Sequence, residues 1–183
     1  MEKKELLIRR AKNQEDWKKV EGLYMTAFPE EERRPFSIIQ NRTEEGKSDV
    51  WMLEDEDFAG LAITMNGDDI VILDFFAIAD EKRGCGYGSI ALKELQDMYR
   101  DYRFILEIER PDIPSENQED RIRRKAFYLR NGMKALDIPV NLFGVEMELL
   151  ANDCEVTFEE YKNVYRSYLG ELAEENVKQG IEY

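Results

Sequence analysis

The chain has 183 residues, with 26 Lys and Arg against 40 Asp and Glu for a net charge of −14, 43% hydrophobic and 11% aromatic residues, and no histidine. That length and apolar content suffice for one domain with a substantial core and exclude a disordered chain. The acidic balance excludes a general affinity for nucleic acid, no apolar run is long enough to cross a bilayer, and the missing histidine excludes imidazole triads and most zinc sites.

At the start, "MEKKELLIRR" has no apolar core of the kind a signal peptide needs. The two cysteines, Cys85 and Cys154, make no disulfide framework, so a cytoplasmic protein with free thiols is expected. "ELLIRRA" reads as a short strand. Asn13 then caps a helix through Trp17, Val20, Leu23, Tyr24 and Ala27, which Pro29 closes. The charged segment "EEERRPF" leads into a short helix over Phe36–Arg42. Three strands follow, "VWML", "FAGLAITM" and "IVILDFFAIA", joined by short turns that imply antiparallel neighbours. The third is nearly all apolar, as a central strand should be.

After a glycine-rich stretch, Ala91, Leu92, Leu95, Met98 and Tyr99 mark a helix, and "FILEIE" is another strand. "QEDRIRRKAFYLRNG" reads as a helix with Ile122, Ala126, Phe127 and Leu129 inward and Gly132 as its stop. "FGVEMEL" alternates as the last strand. Thr157 and Glu160 form a capping box for a final helix carrying Phe158, Tyr161, Val164, Tyr165, Tyr168 and Leu172. The expected fold is a mixed α/β (α+β) sheet, mainly antiparallel and flanked by helices. Residues 1–152 form its catalytic body, and 153–183 a helical extension packed on that body or on a second subunit, which allows a homodimer.

The stretch "DEKRGCGYGSIAL" places Gly84, Gly86 and Gly88 between a strand and a helix. Glycine reaches φ > 0 and lets backbone approach a ligand closely. Successive amides and a helix N-terminus there make an anion site suited to phosphate, and Arg83 adds a forked cationic donor. A Walker loop fails because no lysine follows Gly88 at the required place, and G-x-G-x-G is not the dinucleotide G-x-G-x-x-G. The pattern left is R-x-x-G-x-G.

"RGCGYGSIALKEL" resembles the acetyl-CoA-binding signature of the GNAT superfamily of N-acetyltransferases, and "AFYLRNGMKAL" is similar to a second motif of that family. The element order agrees over about residues 5–150. The resemblance implies acetyl-CoA as co-substrate and no metal. It implies that Arg83, Gly84, Cys85, Gly86, Tyr87, Gly88 and Ser89 hold the diphosphate, and that the backbones of Phe76, Ala77 and Ile78 pair with the pantetheine arm. Where many members carry an asparagine near the pantetheine, this chain reads "DRIRRK", with Arg121 or Arg123 in that region.

The implied reaction is attack of a neutral amine on a thioester. An amine of pKa about 10.4 must first lose a proton, directly or through water. Glu107 on "FILEIE", where the family often uses a carboxylate, is the first candidate base. Asp74, a lone carboxylate in an apolar strand, is its rival and reads equally well as a hydrogen-bonded structural group. Tyr128, at the position of the family's frequent acidic tyrosine, is the candidate acid for the departing thiolate, or else a core aromatic beside Phe127. Cys85 sits at the diphosphate and not at the thioester, so it is no nucleophile. The acceptor is expected to be a small-molecule or peptide amine, cationic given the net charge, although solubility is the simpler meaning of that charge. Glu30, Glu31 and Glu32 could attract such an amine, or form a solvated run neutralised by Arg33 and Arg34. The alternative function is a GNAT fold that binds acyl-CoA or a partner without turnover.

Overall fold

The computed structural model describes residues 5–183; the first four residues, on which part of the leader reading falls, lie outside it. In chain order the elements are β1 (Leu7–Arg10), α1 (Gln14–Ala27), α2 (Phe36–Glu44), β2 (Ser48–Asp55), β3 (Asp57–Asn66), β4 (Ile70–Ile78), α3 (Tyr87–Met98), β5 (Arg103–Glu109), α4 (Gln118–Arg130), β6 (Lys134–Leu142), β7 (Val145–Ala151), α5 (Phe158–Leu169), α6 (Glu171–Asn176) and β8 (Val177–Gln179). The strands form one sheet in the order β1-β2-β3-β4-β5-β7-β6-β8. Among the described residues no helix is long and apolar enough to cross a membrane.

The chain divides into two compact units, one holding the residues up to Thr64 with Leu73–Met98, the other Met65–Ile72 with Tyr99–Tyr183. In the first, Asn13 caps α1 by accepting from the Asp16 amide, as its residue type requires. Asp16 in turn is gripped by the Arg9 guanidinium, which also holds Glu54, so β1, α1 and β2 share one charge cluster. That grip pulls the Asp16 carboxyl well below the usual carboxylate range.

Two apolar clusters form within this unit. One unites Val20 and Tyr24 of α1, Phe36 and Ile39 of α2, and Met52, Leu61, Ile63, Phe75 and Ala77 of the strands. The other joins Leu6, Leu53 and Ala59 to Tyr87 and Ala91 of α3, with Phe76 and Ile78 packed against it. From Phe75 to Ile78 of β4 the clusters alternate, as a pleated strand demands. Along β3 they do not. Phe58 packs with the first cluster and Ala59 belongs to the second, yet Leu61 and Ile63 return to the first. The alternation slips by one residue at Gly60, as at a β-bulge. A Cβ on Gly60 would lie 2.4 Å from the Ala77 carbonyl oxygen, so backbone, and not a yielding side chain, occupies that space.

The second unit corrects three expectations. The first is an unforeseen strand. β6 pairs with β7 through a hairpin whose two loop residues, Phe143 and Gly144, have φ of 50° and 85°, the positive pair of a type I′ turn. Pro139 and the register shift between Ala135 and Pro139, with Asp137 at φ 52°, hide this strand from a pattern search. The second concerns α4, whose Ile122 and Leu129 are 52% and 43% exposed and not inward. The inward stripe is Arg121, Lys125 and Tyr128. Arg121 pairs with Glu109 and Lys125 with the buried Glu148, so the helix docks by charge and an apolar count misplaces its face. Gly132, at φ 89°, does stop α4, with the Met133 and Gly132 amides donating back to the Tyr128 and Leu129 carbonyls as in a Schellman closure. The third concerns the extension, which is more than a helix. α5 has the expected capping box, and Tyr161, Val164, Tyr165 and Tyr168 are buried, but Gly170 breaks it, Leu172 on α6 is exposed, and β8 adds to β6.

Gly60→Ala should destabilise the protein by about 1–3 kcal/mol, because the clash is with backbone. Urea denaturation should show a lower midpoint with an unchanged slope, and a midpoint equal to wild type would mean that the strand accommodates a methyl there.

Candidate active site

Within the first unit, β4 ends at Ile78 and one tight turn over Asp80–Lys82 leads into the glycine stretch. Gly84 and Gly86 have φ of 73° and 86°, and nothing lies within 4 Å of where their Cβ atoms would be. The glycines are therefore needed for backbone conformation, not to relieve packing. α3 begins at Tyr87, so the amides of Tyr87, Gly88 and Ser89 belong to its first turn and point out of the helix end. Cys85 is exposed between the two glycines. The Arg83 guanidinium is exposed, bridging to Asp80 at 3.0 Å and donating through Nε to the Ile78 carbonyl at 3.3 Å. Phe76 and Ile78 lie with Tyr87 in one cluster, and Ala77 faces the other. The loop residues read from the sequence thus lie together between β4 and α3, and the end of β4 runs into them. Bared amides, one forked cation and room at both glycines suit a diphosphate.

Asp74 stands on β4 with its side chain only 6% exposed, paired to Arg34 from the segment between α1 and α2. Nη1 of Arg34 donates to Oδ2, and Nη2 donates to Oδ1 at 3.2 Å, a two-pronged grip. Arg34 is itself fixed. Its amide donates to the Tyr24 hydroxyl at 2.8 Å, that hydroxyl donates to its carbonyl at 2.9 Å, and the guanidinium lies 5.2 Å from the Phe75 ring centroid. Burial pushes the Asp74 carboxyl above the ordinary carboxylate value, with Arg34 pulling it back. Burial likewise raises the Tyr24 phenol to about 12, so it stays protonated in this link. Arg33 turns elsewhere, donating to the Met25 sulfur at 2.8 Å. Arg34 thus has a place on Asp74 that the sequence did not suggest.

Within the second unit, Glu107 of β5 accepts on Oε1 from the hydroxyls of Tyr161 at 2.8 Å and Tyr165 at 2.5 Å, both on α5. Two donors on one oxygen fix the plane of the carboxylate. Burial and the Glu107 charge hold the Tyr161 phenol well above its ordinary value. Glu109 is engaged by Arg121 at 2.9 Å and Asn117 at 3.3 Å. Arg121, at the family's asparagine region, is thus committed to β5, while Arg123 pairs with Asp120. Tyr128 is 9% exposed, edge-on to Phe127, and burial raises its phenol to about 12. Its hydroxyl has no hydrogen-bond partner among the described residues.

The residues that composition and spacing missed are those acting at a distance: Arg34 on Asp74, and Tyr161 and Tyr165 on Glu107. The phenols were visible as an apolar helix stripe, but their hydroxyl partners lie more than fifty residues away.

The profile of the acetyltransferase (GNAT) family matches residues 17–133. No curated protein sequence matches the chain at a significant level. Among solved structures, a GNAT-family chain from Bacteroides thetaiotaomicron is 21% identical, with 92% of this chain and 98% of that one covered and a TM-score of 0.74. Spermidine N-acetyltransferase from Vibrio cholerae, solved with CoA and spermine, is 12% identical over 80% and 94% of the two chains, with a TM-score of 0.62. The ribosomal-protein-S18-alanine N-acetyltransferase of Escherichia coli is 16% identical over 84% and 96%, with a TM-score of 0.61.

Arg34→Met should cost about 3–5 kcal/mol by leaving the Asp74 charge buried and unpaired, whereas Arg34→Met with Asp74→Leu should recover most of that loss. The single variant carries a carboxyl whose folded pKa is raised further. The stability it retains is therefore fully present below the unfolded carboxylate value and is lost as pH rises through the folded one. Denaturant titrations at pH 4.5 and 7 should show the larger deficit at pH 7; equal deficits would argue against a buried, unpaired charge.

Proposed function

The chain belongs to the GNAT acetyltransferase family and is an N-acetyltransferase, and we propose that it moves the acetyl group of acetyl-CoA to a primary amine by direct attack on the thioester. The observation that carries this reading is the open cradle at residues 83–89, where two left-handed glycines and the first turn of α3 present amides beside Arg83. Those residues would hold the diphosphate, and the backbones of Phe76, Ala77 and Ile78 would line the pantetheine arm. The thioester supplies the activated acyl group. Main-chain amides near Ala77 or Ile78 would steady the oxygen on which charge develops.

Glu107 receives the amine's proton, directly or through water, and Tyr161 and Tyr165 orient its carboxylate for that task. Tyr128 donates to the leaving thiolate. Its unpartnered hydroxyl is free to do so, and a phenol at about 12 remains protonated throughout the working range. Asp74 fits a structural role better than a basic one, because Arg34 already occupies both its oxygens. The acceptor is a small-molecule or peptide amine. Relatives of the same fold are named for both kinds, spermidine in one and the alanine of ribosomal protein S18 in another, and the net charge of −14 favours a cationic one.

Release of free thiol from acetyl-CoA, measured with spermidine, an aminoglycoside and an alanine-ended peptide, should identify at least one substrate. Glu107→Gln and Tyr128→Phe should each lower kcat by about 10²–10⁴-fold while calorimetry still detects CoA. The wild-type rate should climb with pH as the amine deprotonates, with no fall attributable to Tyr128 below about pH 10. CoA binding without thiol release from any amine would replace the enzyme by a binding module, and unchanged kcat in Glu107→Gln would remove that residue as base.

A further inference from the structure

The cradle has little packing of its own at its glycines. Gly84 and Gly86 have a wide choice of conformations, and nothing packs within 4 Å of where their Cβ atoms would be. A loop of this kind would lose much of its binding free energy to ordering when an anion arrives, unless something outside it fixes its ends.

One residue does so at both ends. Asp55 lies at the end of β2, beside the turn where Glu56 has φ 54°. Its Oδ2 accepts from the hydroxyl of Tyr87, the first residue of α3, and faces Nζ of Lys82 at 3.7 Å. Lys82 is the last residue of the turn before the loop, and its Nζ also donates to the Asp55 carbonyl at 3.5 Å. The segment from Arg83 to Gly86 is thus strung between two groups that converge on a single side chain. The Tyr87 ring is 5% exposed in the cluster of Leu6, Leu53, Ala59 and Ala91, so that end is anchored by packing as well. The Asp55 bond, with burial, raises the Tyr87 phenol to about 12, which keeps it a donor at any working pH.

We infer that Asp55 is a positioning residue for the cofactor: by holding Lys82 and Tyr87 together it sets the span of the diphosphate loop before coenzyme A binds. This rests on the reading of residues 83–89 as the diphosphate site. Asp55 acts through Lys82 and Tyr87 and contributes no group to the anion itself. A carboxylate beside an anion site is otherwise unfavourable by like-charge repulsion, and pairing with Lys82 offsets that cost.

Asp55→Ala should raise the KM for acetyl-CoA about tenfold, the scale of one lost hydrogen bond with its ordering, with kcat held within about twofold. Tyr87→Phe should raise the same KM, and the double variant should be no worse than the poorer single one, because both remove the same bond. Asp55→Asn, which keeps an acceptor for Tyr87 but loses the charge opposite Lys82, should fall between. Hydrogen exchange of the amides of residues 83–87 in the ligand-free protein should speed up in Asp55→Ala and not in distant loops. A lower melting temperature with unchanged KM and unchanged exchange would reduce Asp55 to a structural role and overturn the inference. If wild type binds no CoA, the diphosphate reading fails, and the exchange measurement alone still decides whether Asp55 clamps the loop.

Discussion

A strand buried on both faces tolerates a carboxylate only if something pairs with it, and much of the first unit is arranged around that requirement. Asp74 is the one charge in β4, and an unpaired charge there would cost several kcal/mol. The partner comes from the connection between α1 and α2, a stretch whose composition of Glu, Arg and Pro would otherwise leave it solvated. Tyr24 reaches from α1 to hold the Arg34 main chain by donating and accepting at once, so the helix, the connection and the strand become one hydrogen-bonded unit. The aromatic rings of Phe28, Phe36 and Phe75 crowd around Tyr24, which fixes the phenol and excludes competing water.

The glycine loop answers the opposite problem. At Asp74 the fold must satisfy a charge already present; at residues 83–86, on the proposed reading, it would leave main-chain donors available for an anion. Omitting side chains exposes amides, but it also removes the contacts that make a conformation unique. The proposed solution places the constraint at the loop's edges, where Tyr87 bonds Asp55 and packs in the apolar cluster. On that reading, recognition by backbone and rigidity by flanking side chains would be separated, with the Cys85 side chain left exposed.

What could be read from the sequence follows the range of the forces involved. The loop, the caps at Asn13 and Thr157 and the stop at Gly132 were legible because each depends on residues within one turn of chain. β6 was not, since Pro139 and the left-handed Asp137 erase its alternation, and only pairing with β7 and β8 makes it a strand. The face of α4 was misplaced because its docking is ionic: Arg121 and Lys125 point inward to Glu109 and Glu148, which sit on other elements. The same limit applied at the site. Asp74 stood out as the one carboxylate in an apolar strand and Glu107 and Tyr128 came from the family resemblance, but Arg34 on Asp74 and Tyr161 and Tyr165 on Glu107 are placed by tertiary structure alone.

Those partners bear on how a chain without histidine handles protons. A carboxylate that accepts two phenol hydrogens is stabilised as the anion, and its basicity falls accordingly. Glu107 accepts on one oxygen from both hydroxyls, so its carboxylate is held in a single orientation. A buried phenol behaves differently: burial lets Tyr128 keep its proton far above neutrality. Imidazole would cover both tasks with one group near pH 7. On the proposed mechanism a carboxylate and a phenol would divide those tasks, and solvent would then have to return the proton from one to the other.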